Sequence, residues 1–324
     1  RDDSAGRRVK GESMVDWQAA GYLAGWRLVR LVPEPAVRAA CRIAARAVSR
    51  GGRGMPQLRR NLSRVVGPAN VTRRLVTEAV YSYARYWAEA FRLPALARRE
   101  DFQERLGRMV VGRERFEASL GEGRGVVLVL PHTGNWDMAG ALLVHDYESF
   151  TTVAERLKPE SLFQAFVDYR ESLGFRVLPL TGSEPPMPRL VETLEAGGVV
   201  CLLGERDLKA RGVKVEFFGE ECTMPVGAAE LARRTGAALH VVHSWFEGDD
   251  AWGISVSERV PAPRDADVAA IQQRIADLFA ANISRHPADW HMLQPLWPAD
   301  VPLNRQERRD REAAKKRRRA EGEG

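Results

Sequence analysis

From about Gly112 onward, short apolar runs alternate with helical patterns, and this alternation limits the chain to an α/β architecture. The spacing predicts strands at Val126–Leu130, Thr151–Ala154, Arg176–Leu180, Val199–Leu203, Val213–Phe218, Leu239–Phe246 and Trp252–Val256. Helical patterns fall between several of them, at Trp136–Val144, Pro159–Leu173, Pro188–Ala196 and Val226–Thr235, and a last helix is expected at Asp267–Arg285. Strands that are apolar throughout must be covered on both faces. The later strands follow one another closely, so the expectation is a mixed, mostly parallel central sheet sandwiched by helices.

Upstream the pattern is helical from Met14 to about Leu93, with Pro33, Pro35 and Pro56 as breaks. Four segments follow: a disordered 1–13, an N-terminal helical region over 14–111, the α/β core over 112–300, and a basic charged tail over 301–324. In the helical region Val37, Cys41, Ala44 and Val48 share a face, while Arg38, Arg42, Arg46 and Arg50 form a stripe. The preceding segment carries Trp17, Tyr22, Leu23, Trp26 and Val29 beside Arg27 and Arg30. Basic amphipathic helices of this kind lie in the interface of anionic membranes. Packing of the apolar faces on the core, with the arginines merely solvated, is the plainer alternative.

The formal net charge of +6 favours anionic partners. No run approaches the ~18 uncharged apolar residues of a membrane span, and the amino terminus lacks the order of a signal peptide. The expectation is an intracellular protein that lies on a membrane if it meets one. Cys41, Cys201 and Cys222 are an odd set with no CxxC spacing, and read as small buried groups in a reducing compartment.

Chemistry concentrates where strands end. The run Val126–Leu130 stops at Pro131 and puts His132 at its carboxyl end, where open α/β sheets bind ligands. An imidazole there has a pKa suited to proton abstraction. Asn135 is placed to cap the next helix. Asp137 sits one turn into that helix, a spacing that can return a carboxylate toward the ring. The run Val199–Leu203 leads into Glu205, Arg206 and Asp207, so a second strand can bring Glu205 to the same edge. Glu155 ends a third strand, and Arg170 lies late in the following helix, able to clamp a phosphate or hold a carboxylate.

Other chemistries lack their signatures. There is no GxSxG elbow and no Walker A loop, and Gly121–Gly125 precedes its strand. His240 and His243 face opposite sides of a strand, a poor metal pair. His291 lies among aromatics and reads as packed. No metal or cofactor is expected, and without an activated Ser or Cys, direct attack by an acceptor hydroxyl is the simpler mechanism.

The segment His132-Thr133-Gly134-Asn135-Trp136-Asp137 resembles the HX4D motif of glycerolipid acyltransferases, especially the bacterial lipid A late-acyltransferase branch. The ordered set Thr152–Pro159, Asp168–Gly174, Glu205-Arg206-Asp207, Phe217-Phe218-Gly219, Met224-Pro225 and Ala288–Met292 is similar to the phosphatidylinositol mannoside acyltransferases and their relatives. The resemblance covers roughly residues 14 to 300. It implies an acyl-CoA donor, usually palmitoyl, and a mannose hydroxyl of a phosphatidylinositol mannoside as acceptor. His132 is then the general base, Glu205 its relay partner and Asp137 an organiser of the loop. Glu155 and Arg170 line the acceptor side, with Arg206 and Asp207 counted among the substrate-binding residues. It also implies a hydrophobic groove for the acyl chain and peripheral association with the anionic inner leaflet, on the cytoplasmic face of the membrane. The competing class is a non-enzymatic protein binding anionic membrane or RNA on an acyltransferase scaffold. Nucleic acid is not expected, because the basic residues fall in no RNA-binding or helix-turn-helix motif.

Overall fold

The central strand of the sheet, β2 (Val126–Leu130), is buried at all five positions, which its unbroken apolar run requires. The computed structural model describes residues 29–107, 109–155, 160–182, 184–208 and 211–301. The expected disorder over 1–13, the expected helix of Trp17 and Trp26, and all but Val301 of the basic tail lie outside these residues.

From Glu34 onward the described residues begin with three α-helices: α1 (Glu34–Val48), α2 (Pro56–Val66) and α3 (Arg73–Leu96). Thr72 starts α3 by accepting from the Leu75 N–H at 3.1 Å. A short α4 (Glu100–Gly107) leads to β1 (Val110–Val111) and α5 (Arg113–Gly121). After β2 come α6 (Trp136–Tyr147), β3 (Phe150–Ala154), α7 (Glu160–Glu171), β4 (Phe175–Pro179), α8 (Met187–Glu195) and β5 (Val199–Leu203). The chain then forms β6 (Val213–Phe217), β7 (Glu220–Met224), α9 (Gly227–Thr235), β8 (Ala238–Glu247), β9 (Ala251–Val256) and α10 (Val268–Arg285).

Seven strands form one sheet in the order β1-β9-β8-β2-β5-β3-β4. The block from β8 to β4 is parallel, and the antiparallel β8–β9 pair makes the sheet mixed. The expected α/β class is therefore the observed one. Alternation along the strands divides the core. Val127, Val129, Val200 and Leu239 face α8, α9 and α10. Val126, Leu128, Leu130 and Val199 face α3, α5 and α6.

Two strands escaped the pattern. β1 is two residues long, and β7 begins Glu220-Glu221, whose charges hide a hairpin that pairs with β6 away from the main sheet. The packed stripe of α1 also differs. It runs through Val37, Cys41 and Ala45, with Ala44 and Val48 outside it, because α3 meets the helix along that line. Arg38 and Arg42 of the basic stripe are tied to Asp250 and Asp249 at the β8–β9 turn.

Candidate active site

Strands β2 and β5 are neighbours in register, Leu130 opposite Leu203. Two residues past each strand end stand His132 and Glu205, so the ladder itself delivers the two side chains to one level. Glu205 Oε1 accepts from the His132 main-chain N–H at 2.6 Å and lies 2.8 Å from ring Nδ1. Burial works to raise the Glu205 carboxyl, but the facing imidazole and the His132 N–H outweigh it and hold the group below its ordinary value. A carboxylate facing Nδ1 keeps the ring proton there and leaves Nε2 with its lone pair. Glu205 is fully buried, whereas the His132 side chain is 18% exposed, so the imidazole keeps an open side.

The loop carrying His132 is clamped from two directions. The segment Pro287–His291 after α10 brings Asp289 O to the Gly134 N–H at 2.9 Å and the His291 N–H to His132 O at 2.8 Å. On the other side the Ser244 hydroxyl donates to Thr133 O at 2.6 Å, and His243 Nδ1 lies 3.1 Å from the Thr133 hydroxyl. Gly134 takes φ +53, and a Cβ there would sit 2.6 Å from the Ser244 backbone. His243 and His291 are both buried, and burial pushes each down to about 3. Burial is the cause in both, and His291 also packs against Tyr83, Tyr86 and Trp136.

Asp137 does not reach the imidazole. Its carboxylate accepts from Arg170 Nε at 3.0 Å, Arg170 Nη2 at 3.4 Å and the Tyr86 hydroxyl at 2.9 Å. Burial opposes the Arg170 charge, and the facing Asp137 overcomes that and holds the guanidinium protonated. The spacing that permits a His–Asp approach also permits this one, and the half-buried arginine of α7 decides between them. Beneath α6 lies an apolar cavity of about 120 Å³, bounded by the helix and the sheet strands β2, β3, β5, β8 and β9. Its walls include Leu130, Gly140, Phe150, Cys201 and Val242. Trp136 is part of the lining and meets the His132 ring edge-on, with centroids 5.2 Å apart. The cavity thus begins one ring away from His132.

Residues 8–299 match the family described as bacterial lipid A biosynthesis acyltransferase. The chain belongs to that family. It is 53% identical over 309 residues to the phosphatidylinositol mannoside acyltransferase of Mycolicibacterium smegmatis, covering 94% of this chain and 98% of the relative. It is 54% identical over 294 residues to the protein of that name from Mycobacterium tuberculosis, covering 90% and 91%.

The remaining expected site residues of this acyltransferase stand apart from the pair. Glu155 is exposed just past β3, and Arg206 is half-buried after β5. Asp207 accepts from the Gly212 N–H at 2.7 Å and the Arg211 N–H at 3.2 Å, so it turns the chain toward β6. What the pattern did not flag is the polar stripe of α3. Ser82, Tyr86 and Glu89 fall on its buried face, continuing the line of Ala79, Leu93 and Leu96. Ser82 bonds Asp289 and His291, Tyr86 bonds Asp137, and Glu89 bonds Asn135. Polar residues recurring at core-facing helical positions were the available signal.

Proposed function

We propose that the protein transfers a fatty acyl group, palmitoyl above others, from acyl-CoA to a mannose hydroxyl of a phosphatidylinositol mannoside. The observation that carries this reading is the Glu205–His132 pair, one Trp136 ring from an apolar cavity, in a chain whose relatives bear that acceptor in their name. His132 Nε2 takes the hydroxyl proton as the oxygen attacks the thioester carbonyl. The C–S bond then breaks, the proton passes to the departing sulfur, and an ester and free coenzyme A result. Glu205 fixes the tautomer and stabilises the imidazolium. Cys201 lines the cavity, but burial pushes its thiol well up, so it keeps its proton and favours direct transfer over an acyl-enzyme.

Each buried methylene contributes up to ~0.8 kcal/mol, so a cavity under α6 supports both affinity and chain choice. Placement at the inner leaflet draws on α1. Ile43 is 71% and Val48 60% exposed, next to exposed Arg46 and Arg50. Among the described residues no helix is long and apolar enough to cross a membrane.

The test is a purified-protein assay with radiolabelled palmitoyl-CoA and mannosylated phosphatidylinositols. Label should move to the glycolipid, and His132→Ala should slow it about 10²–10⁴-fold. Undiminished transfer by a folded His132→Ala protein would refute the assignment.

A further inference from the structure

We infer that Glu89, on α3, is a positioning residue for the loop that carries His132, acting through the side-chain amide of Asn135. The inference rests on the reaction proposed above. Glu89 is 8% exposed and Arg85 3%, one helical turn before it. Glu89 Oε1 accepts from Arg85 Nε at 2.6 Å, and Oε2 accepts from Asn135 Nδ2 at 2.9 Å and from Trp252 Nε1 at 2.8 Å. Arg85 goes on to donate to Gly248 O at 2.6 Å and stacks 4.1 Å over Phe246. One carboxylate thereby joins α3, the β8–β9 turn, β9 and the catalytic loop.

The orientation of the Asn135 amide follows from this arrangement. Its oxygen caps α6 by accepting from the Met138 N–H at 3.1 Å, so its nitrogen needs an acceptor on the other side. The neighbouring Trp252 and Arg85 groups are donors only, and Glu89 supplies the acceptor. Were Glu89 neutral, a donor would face a donor in either amide orientation, and a buried unpaired polar group would favour turning Asn135 away from its cap. The cap sits three residues after His132, so its loss moves the base relative to the cavity. The charges also balance, with one cation in Arg85 and one anion in Glu89.

The test exchanges the partners. Asn135→Asp sets two carboxylates face to face, and Glu89→Gln leaves Arg85 without its anion. The pair Glu89→Gln/Asn135→Asp restores the charge balance and the donor–acceptor contact between positions 89 and 135, and gives up only the Trp252 contact, since Asp also caps helices. Each single variant should lose roughly 10²-fold in kcat, the scale expected for a misplaced base. KM for acyl-CoA should hold, and the exchanged pair should return to within about tenfold of the wild type. Asn135→Ser keeps a cap but is too short to replace the amide N–H that reaches Glu89, and carries the same test if Asn135→Asp does not fold. Single variants with wild-type kcat, or an exchanged pair no better than the worse single one, would overturn the inference. A wild-type enzyme that fails to turn over palmitoyl-CoA with the glycolipid would instead remove the proposed reaction.

Discussion

A single carboxylate oxygen, Glu205 Oε1, receives both the backbone N–H and the ring Nδ1 of His132, at 2.6 and 2.8 Å. The contact sets where the ring stands and which nitrogen is free. Glu205→Gln keeps an acceptor oxygen and removes the charge that stabilises the imidazolium. The expected outcome is a loss of about 10²–10⁴-fold in kcat with little change in KM for acyl-CoA. Initial rates across acyl-CoA concentration check it, and an unchanged kcat would take Glu205 out of the relay.

Asp137 should behave differently. Asp137→Asn leaves the half-buried Arg170 guanidinium facing a neutral amide, and breaking such a pair costs at most about 3–5 kcal/mol. Urea unfolding should show a lower midpoint, with turnover of the molecules still folded held within about tenfold. Normal stability with abolished turnover would show that Asp137 acts on the reaction itself.

Two ion pairs bracket the cavity along α6. Asp137–Arg170 lies at the first turn and Asp146–Arg113 at the last, nine residues on, roughly 14 Å along the axis at the helical rise. The far pair is part of the cavity wall. Arg113→Ala/Asp146→Ala should therefore raise the stearoyl-to-palmitoyl ratio of kcat/KM, by up to roughly tenfold for two further buried methylenes. Competition between the two donors measures this directly, and an unaltered ratio would place the end of the chain elsewhere.

Acid should weaken the fold through its buried imidazoles. Burial first, and then a nearby charge, lowers His243 and His291 from an ordinary 6.5 to about 3. Between those values the unfolded chain binds protons that the native state refuses, so stability increases with pH there. The contribution is whole above pH 6.5 and drains away as pH falls toward 3, at about 1.4 kcal/mol per pH unit for each ring. Denaturant titrations at a series of pH values should show this slope, and His291→Gln should flatten it by one ring's share. An equal slope in the variant would mean that His291 is protonated in the native state.

Strands β2 and β5 were legible to the residue. Each is an unbroken apolar run bounded by Gly125 and Pro131, or by Gly198 and Gly204, and burial on both faces leaves no other use for such a run. Asn135 was legible as a cap for the same local reason. The hairpin strand β7 was not, since Glu220 and Glu221 face solvent and mask the period. The polar line Ser82–Tyr86–Glu89 was also hidden. A polar side chain at a core-facing position becomes meaningful only once its partner is known, and here the partners lie between 46 and 209 residues away.

Local pattern, by itself, determined the α/β class, the position of the two strand ends and the residue types that stand there. Tertiary structure decided which strand neighbours which, and therefore that His132 answers to Glu205 while Asp137 answers to Arg170 and Tyr86. The division has one cause. Periodicity and capping depend on residues a few positions apart, whereas the order of strands in a sheet depends on how separate runs share one buried core.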